Sequence, residues 1–320
     1  MCLIWGIPYL LIKVAVHDLS PVTLVFFRTL IGALMLLPLA AMRGNLKPLL
    51  PHWRAIVIYT VVEVALPWLL LSDAETRLSS SLTGLLIAAV PFVGVILGRL
   101  TGAQDRFDAR RLFGLVVGFI GVAALVGFNV SARDFGAVGE VGLVTLGYAI
   151  GPMIIARRLS DVPALGVVAV SLALPAVAYA PLGLTHLPSA FPSLQVVVSV
   201  ALLGVVCTAI AFLVFFALIA EVGNVRATTI TYVNPAVALA LGVVLLGEPF
   251  TVGAVVGFAL ILLGLFLATR RGPTAATREI EPHAGERLRV LRNPSSQREM
   301  GHHPIDGDGS TAAPTTHESL

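Results

Sequence analysis

The sequence predicts an all-α membrane protein with ten transmembrane helices, arranged as two inverted five-helix repeats. Residues 1–128 and 139–270 carry the same succession of apolar segments at an offset of about 143 positions, so that Pro91 recurs as Pro235. Because each copy has five spans, an odd number, the second copy must enter the bilayer in the opposite orientation. Inverted repeats of this kind are typical of secondary transporters, which bind their solute near the midplane between the two copies.

The composition excludes an ordinary soluble domain. Of the 320 residues, 57% are hydrophobic and only 12% are charged, whereas soluble domains carry about 25% charged residues. Ten apolar runs can be delimited, and all but the short first one suit a hydrocarbon core about 30 Å thick. They cover residues 1–16, 21–42, 54–72, 78–100, 111–128, 139–156, 163–184, 194–218, 223–246 and 250–269.

Basic residues in the connecting loops predict the orientation of the bundle. Twelve of them lie on the side of the N-terminus, and only two, Arg77 and Arg133, lie on the opposite side. Because cytoplasmic loops carry an excess of Lys and Arg, we expect both termini to be cytoplasmic, with the protein in the inner (plasma) membrane. Residues 271–320 are polar and rich in Pro, Gly, Ser and Thr, which predicts a disordered cytoplasmic tail.

Three ionisable residues inside the predicted spans are the first candidates for function, because charged groups are costly in hydrocarbon. Lys13 and Arg28 lie within about two turns of the predicted outer ends of spans one and two. Together they could hold a carboxylate or another anion, or both could snorkel to the headgroups. Glu63 lies near the middle of span three, where a protonatable carboxyl group suits proton coupling or substrate contact. The alternative for Glu63 is a structural hydrogen bond to a neighbouring helix, or a pair with Arg28. The second copy carries uncharged residues opposite Arg28 and Glu63, namely Val170 and Cys207.

Neutral polar residues at mid-depth form a second set of candidates. They could orient a polar solute through a few hydrogen bonds in an otherwise apolar cavity, or they could bond one helix to another. These residues are Tyr148, Thr208, Tyr232 and Asn234. Trp68, toward the outer end of span three, is expected in the interfacial aromatic belt.

Two prolines at matching positions, Pro91 and Pro235, predict kinks in spans four and nine, because each removes one backbone hydrogen bond. A freed carbonyl at depth is tolerated only where it is buried in protein or lines a cavity. The pair therefore predicts a central cavity or a hinge, with a packing role as the alternative. Glycines in spans five and ten predict close-packing faces, within the bundle or in a homodimer. They are Gly114, Gly118, Gly121, Gly257 and Gly264.

Several short runs resemble the EamA-type transporters of the drug/metabolite transporter superfamily, in that family's order and spacing. They are Trp5-Gly6-Ile7-Pro8-Tyr9, Lys13, Phe27-Arg28, Leu203-Gly204, Asn234-Pro235 and Leu246-Gly247-Glu248. The resemblance covers residues 1–270 and implies ten spans and transport of small metabolites, often export of amino acids or drugs. The first copy departs from the pattern, with Asp105 aligned to Glu248. An Asp serves equally well if this acid partners a helix N-terminus.

The sequence contains no metal-spaced His, Cys or Asp set, no nucleophile elbow and no phosphate-binding glycine loop. We therefore expect no enzymatic activity, no metal and no cofactor. The net charge of +3 is spread over short loops and the tail, so the expected partners are the lipid bilayer and a small-molecule substrate, without nucleic acid. The predicted function is secondary transport of a small polar or amphipathic metabolite, amino-acid-like or a drug, by alternating access and in the direction of efflux. The alternative is a polytopic membrane enzyme or a lipid-handling protein, which would need a polar reaction centre at one interface.

Overall fold

Helices make up nearly all regular structure in residues 1–101, 109–222 and 233–269, the parts of the chain that the computed structural model describes. No strand occurs in these ranges. Tyr232, Asp105 and the predicted tail lie outside the described residues. The absence of strands there and the apolar character of the helices confirm the predicted all-α membrane fold.

The described residues of the first half contain eight α-helices and two short segments of other helical types. In chain order they are α1 (Cys2–Gly6), α2 (Pro8–Ala15), α3 (Pro21–Met42), a 3₁₀ turn (Lys47–His52), α4 (Trp53–Tyr59), a π-helical segment (Thr60–Ala65), α5 (Leu66–Arg77), α6 (Ser80–Ile87), α7 (Val90–Leu100) and α8 (Ala109–Asn129). The predicted third span, 54–72, is thus five residues too short, because α5 continues to Arg77.

The second half follows the same plan. It comprises a 3₁₀ turn (Ala132–Asp134), α9 (Phe135–Arg158), α10 (Ala164–Thr185), α11 (Leu194–Gly204), a second π-helical segment (Val205–Ile210), α12 (Ala211–Val222), α13 (Asn234–Leu246) and α14 (Val252–Thr269). A π-helical segment therefore interrupts span three and span eight at matching places. Such segments are rare and occur often at functional sites.

Six helical stretches in the described residues are long and apolar enough to cross a membrane. They are Pro21–Met42, Lys47–Arg77, Ser80–Leu100, Ala132–Arg158, Ala164–Thr185 and Leu194–Glu221. Four shorter apolar stretches, of 10–17 residues, fall at the remaining predicted spans: Cys2–Ala15, Leu112–Gly127, Asn234–Leu246 and Val252–Ala268. The number of crossings, ten, stays a prediction for these shorter stretches.

Pro91 interrupts its span rather than bending a continuous helix. Residues Ala88 and Ala89 separate α6 from α7, and Pro91 lies in the first turn of α7. Pro235 likewise lies in the first turn of α13. A proline is tolerated in the first turn because its missing N–H would have no intrahelical partner there. The predicted kink at Pro91 is thus a break between two helices.

Helices α8 and α14 pack against each other through their glycines. A Cβ atom at Gly121 would lie 2.8 Å from the carbonyl oxygen of Gly257, and one at Gly114 would lie 2.6 Å from that of Gly264. The two backbones therefore approach too closely for any larger side chain. The glycine faces are filled within the bundle, so they are not available as a surface for a homodimer.

Candidate functional site

Arg28 is the centre of a buried polar site formed by three helical elements. The residue lies seven positions into α3 and is only 6% exposed. Its Nε donates a hydrogen bond of 3.1 Å to Oγ1 of Thr208 in the second π-helical segment. Its guanidinium carbon lies 3.6 Å from the ring centroid of Trp68 in α5. We call these three residues, Arg28, Trp68 and Thr208, the Arg28 site.

The geometry of the Arg28 site decides between the roles predicted for Arg28 and Trp68. Snorkelling of Arg28 to the headgroups is wrong, since the guanidinium stacks on a buried ring inside the bundle. Trp68 is 6% exposed, so the expectation of an interfacial belt residue is also wrong. A planar guanidinium suits this place because it stacks on an aromatic face while it donates in its own plane.

Arg28 forms no ion pair with any carboxylate in the described residues. The predicted alternative, a pair between Glu63 and Arg28, is therefore not formed. The charge of Arg28 is therefore not balanced by any carboxylate of the described residues. A buried charge without a counter-ion destabilises the folded protein, and a bound anion would reduce this destabilisation.

Glu75 is a buried acid that the sequence prediction missed, because the predicted span ended at residue 72. It lies on α5 and is 0% exposed. Neither of its carboxylate oxygens has a hydrogen-bond partner in the described residues. Trp68 and Glu75 are seven residues apart, about two turns, and therefore share one face of α5. That spacing is the signal in the sequence that could have found Glu75.

Lys13 has a contact that differs from both of its predicted roles. Its Nζ donates to the backbone carbonyl oxygens of Glu75 at 2.6 Å and Leu78 at 2.8 Å. These carbonyls belong to the C-terminal end of α5, where a cation is favourable because of the helix dipole. The ammonium group of Lys13 therefore caps α5 and does not share an anion with Arg28.

Glu248 caps the start of the next helix, α6. Its Oε1 accepts from the backbone N–H of Ser80 at 2.7 Å, and its Oε2 accepts from that of Ser81 at 2.9 Å. These N–H groups open α6, so an anion from the second half caps a helix of the first half. Lys13 and Glu248 together hold the junction between α5 and α6.

Glu63 lies in the first π-helical segment, away from any cation of the described residues. Its carboxyl group packs against Gly151 of α9, and its Oε2 is buried without a hydrogen-bond partner. Tyr148, one turn earlier on α9, is half-buried and packs on the hydrophobic cluster that contains Val64 and Trp68. Tyr148 therefore lies next to the Arg28 site, and its role in a solute pathway stays a prediction.

The helix register can be compared between the two halves. Counted from the first residue of each helix, Arg28 of α3 matches Ser171 of the equally long α10, and counted from Pro21 and Pro163 it matches Val170. Glu63 and Thr208 are both the fourth residue of their π-helical segments. In the second half, Thr208, whose hydroxyl accepts a hydrogen bond from Arg28, therefore occupies the position that Glu63 occupies in the first half.

Asn234 begins α13, and its backbone carbonyl oxygen would be 3.1 Å from a Cβ atom at Gly6 of α1. Of the predicted site residues, the structure brings together Arg28, Thr208 and Tyr148, and it places Lys13, Glu63 and Asn234 at other contacts. Within residues 1–101, 109–222 and 233–269, no group of three His, Cys, Asp or Glu side chains is placed to hold a metal ion.

The end of the bundle that carries few basic residues is closed by polar links. Nη2 of Arg77 contacts both carboxylate oxygens of Glu140 at 2.6 and 2.7 Å, which joins α5 to α9. Oδ2 of Asp18 accepts from the backbone N–H of Ser193 at 3.0 Å. Hydrogen bonds from His17 and from this N–H lower the pKa of Asp18, so the link stays anionic near neutral pH.

Two cavities lie at this same end, of about 340 Å³ and 410 Å³. The first is lined by residues such as Pro21, Asp73 and His186, and the second by residues such as Ser81 and Thr251. Neither cavity is lined by Arg28 or Glu75. The Arg28 site therefore does not border either of these two cavities.

A bundle of helices that are long and apolar enough to cross a bilayer is the architecture of a polytopic membrane protein. The chain belongs to the EamA-like transporter family, whose model matches it twice, over residues 1–127 and 141–270. This match confirms the family that the sequence motifs resemble. The protein is a multi-pass membrane transporter.

Relatives from distant organisms agree with this assignment. The uncharacterized inner membrane transporter YedA of Escherichia coli K12 is 26% identical over 270 residues, which cover 83% of this chain and 87% of that protein. The uncharacterized transporter YvbV of Bacillus subtilis is 24% identical over 281 residues, 85% of this chain and 90% of that protein. An uncharacterized transporter of Archaeoglobus fulgidus is 24% identical over 268 residues, 83% of this chain and 95% of its own.

A solved crystal structure shares the fold. It covers 84% of this chain and 94% of its own with a TM-score of 0.61, at 20% sequence identity. The likeness concerns the fold alone.

Proposed function

We propose that this protein is a secondary transporter that exports a small polar or amphipathic metabolite, amino-acid-like or drug-like, by alternating access. The observation that carries the proposal is Arg28, a buried cation without a carboxylate partner in the described residues, at the core of a transporter bundle. A carboxylate or another anionic group of the solute would supply the missing partner.

The hydrogen bonding of Arg28 supports this assignment. Oγ1 of Thr208 accepts the hydrogen bond from the Nε–H, and Trp68 covers one face of the guanidinium plane. The forked pair of Nη groups is then the part of the side chain that is suited to grip a carboxylate in a bidentate manner. Tyr148 borders this position, and we assign it to the wall of the solute pathway. Tyr232 and Asn234 remain proposed pathway residues near the start of α13.

Alternating access needs one end of the bundle to close while the other opens. The links of Arg77 to Glu140 and of Asp18 to Ser193 close the end that we propose to face outward. The break before Pro91 is a place where the helix is not continuous, so we propose it as a hinge, with a second hinge at the matching Pro235. In this proposal the structure represents an outward-closed state.

We assign no enzymatic activity to the chain. The family and the named relatives are transporters, and the acids of the described core are dispersed over separate contacts rather than gathered in one reaction centre.

Metabolite profiling tests the proposal. Medium from cells that produce the protein should be enriched in one or a few metabolites relative to cells that lack it. Cells that produce Arg28→Ala at the same membrane level are the matched control, and their medium should lose the enrichment. The enriched metabolites are then offered to proteoliposomes. Equal profiles for all cells, together with no uptake by proteoliposomes, would refute the proposed function.

A further inference from the structure

We propose that Glu75 is a proton-exchange site: its carboxyl group holds a proton while the solute site is empty and gives it up when a cationic group of the solute binds. The inference rests on the proposed transport function and adds to it the coupling group and the second charge of the solute.

The first step is the burial of Glu75. Its side chain is 0% exposed, and both carboxylate oxygens lack a donor among the described residues. An ionised carboxylate in such a place has lost its hydration and accepts no hydrogen bond from a side chain of the described residues, which makes the charge costly. The nearest ammonium group, that of Lys13, binds the backbone carbonyl of Glu75 at 2.6 Å rather than its carboxylate. A bound proton is the simplest way to remove the charge.

The second step is the set of charged and titratable groups around Glu75. Lys13 and Arg28 attract its ionised form, and Glu248 repels it. Two phenol groups, those of Tyr9 and Tyr148, complete the set in the described residues. These groups reach Glu75 from α2, α3, α9 and the loop before α14. A shift of α2 or α3 relative to α5 would therefore change how firmly the proton is held.

The third step is the position of Glu75 relative to the Arg28 site. The guanidinium of Arg28 lies over the ring of Trp68. Trp68 and Glu75 share one face of α5, and their Cα atoms lie about 10 Å apart along the helix axis, at 1.5 Å per residue. The site thus offers a cation near one end of this face and an acid near the other. A dipolar solute can place its anionic group on Arg28 and its cationic group on Glu75.

Proton exchange follows from this arrangement. When the cationic group approaches, the O–H bond of Glu75 breaks, its electron pair stays on the carboxylate, and the proton passes to water. The carboxylate then pairs with the solute. The proton and the cationic group of the solute compete for the carboxylate of Glu75. A proton gradient directed inward would therefore drive the solute outward. This order of events is antiport and agrees with export.

Glu63 is the natural comparison for Glu75. Glu63 is also a buried acid, but only its Oε2 is buried without a hydrogen-bond partner in the described residues, and its carboxyl group packs on Gly151 rather than near Arg28. Glu63→Gln and Glu75→Gln make the same chemical change at two depths of the bundle. Glu140→Gln alters an acid of the outer link and serves as a surface control.

The first experiment uses the proton alone as the probe. Infrared spectra of the reconstituted full chain should show the carbonyl band of a protonated carboxylic acid that disappears when the buffer is made strongly alkaline. Glu75→Gln should lose this band, and Glu140→Gln should keep it. A wild-type protein without the band overturns the inference, and this result does not depend on whether any variant folds. A band that is lost from Glu63→Gln and kept by Glu75→Gln overturns it as well.

The second experiment measures protons during solute binding. The metabolite enriched by export is added to detergent-solubilised protein in weakly buffered solution with a pH-indicator dye. We expect release of about one proton per bound solute, because one carboxyl group is exchanged, and none from Glu75→Gln. Proton uptake by the wild type, or unchanged release from Glu75→Gln, overturns the inference. If proteoliposomes transport the metabolite without proton release, the coupling role fails and the transport function stands.

Discussion

At the residue scale, two cations of similar length at similar predicted depth have different surroundings. The compact ammonium group of Lys13 makes point contacts with two backbone carbonyls. The planar guanidinium of Arg28 lies over Trp68 and donates sideways to Thr208. A lysine at position 28 would not be equivalent, because only the planar guanidinium stacks on an aromatic face while it donates in its own plane.

The first prediction concerns the geometry of Arg28. Arg28→Lys keeps the charge but loses the stacking and the bidentate grip, and we expect transport to fall about ten- to hundredfold, as for the loss of a charged hydrogen bond worth about 1.5–3 kcal/mol. Arg28→Ala should reduce transport of anionic or zwitterionic solutes further and that of cations much less. Initial rates of uptake into proteoliposomes measure both effects.

Thr208→Val provides the matched control for Arg28, since it removes the acceptor of the Nε–H and keeps the side-chain shape. We expect a loss smaller than that of Arg28→Lys, because the stacking on Trp68 remains. Normal transport by Arg28→Ala would show that the residue serves packing alone.

At the scale of the elements, the junction of α5 and α6 depends on caps from elsewhere in the chain. The second prediction is that Glu248→Ala lowers the stability of the purified protein by about 1–3 kcal/mol, because the N–H groups of Ser80 and Ser81 lose their acceptors. Thermal unfolding in detergent should show a lower Tm. Glu221→Ala removes an exposed acid of α12 and should leave the Tm unchanged. Equal Tm values for all three proteins would contradict the capping role.

The third prediction concerns the contact of α8 with α14. Gly121→Ala would place a Cβ atom 2.8 Å from the carbonyl oxygen of Gly257, and overpacking of this kind costs about 1–3 kcal/mol. Gly127→Ala, in the same helix, meets nothing within 4 Å and is the matched control. Fluorescence-detected gel filtration after heating should show earlier loss of the Gly121→Ala protein only. If both variants survive equally, the two helices are not in close contact.

At the scale of the whole molecule, the repeated pattern and the family could be predicted from the sequence, since apolar runs and recurring prolines are local signals. The Arg28 site could be predicted only in part. Arg28 and Thr208 stand out as polar residues in apolar runs, but their contact joins residues 180 positions apart. Glu75 was missed because the charged residues after position 72 mark the end of an apolar run, although α5 continues and turns Glu75 inward. Burial by other helices is a property of the assembled bundle.

The links across the predicted outer end bear on the topology as a whole. Each of them joins two loops or helix ends that ten alternating spans place on the same side of the membrane: Asp18 with Ser193, Arg77 with Glu140, and Glu248 with Ser80. If Leu112–Gly127 or Asn234–Leu246 did not cross, the partners of at least one link would have to lie on opposite sides. The links therefore support the crossing of these two short stretches, and they leave open which side is cytoplasmic.

The fourth prediction settles that orientation. The excess of basic residues on the side of the N-terminus, twelve against two, predicts that this side is cytoplasmic. A reporter that is active only outside the cytoplasm should be active when fused after Arg133, and one that is active only inside should be active when fused after Arg270. Fusions after Arg158, one span later than Arg133, serve as the internal control and should report the inside. If the fusions after Arg133 and after Arg270 both report the outside, the ten-span inverted arrangement is refuted, because five spans, an odd number, separate the two positions.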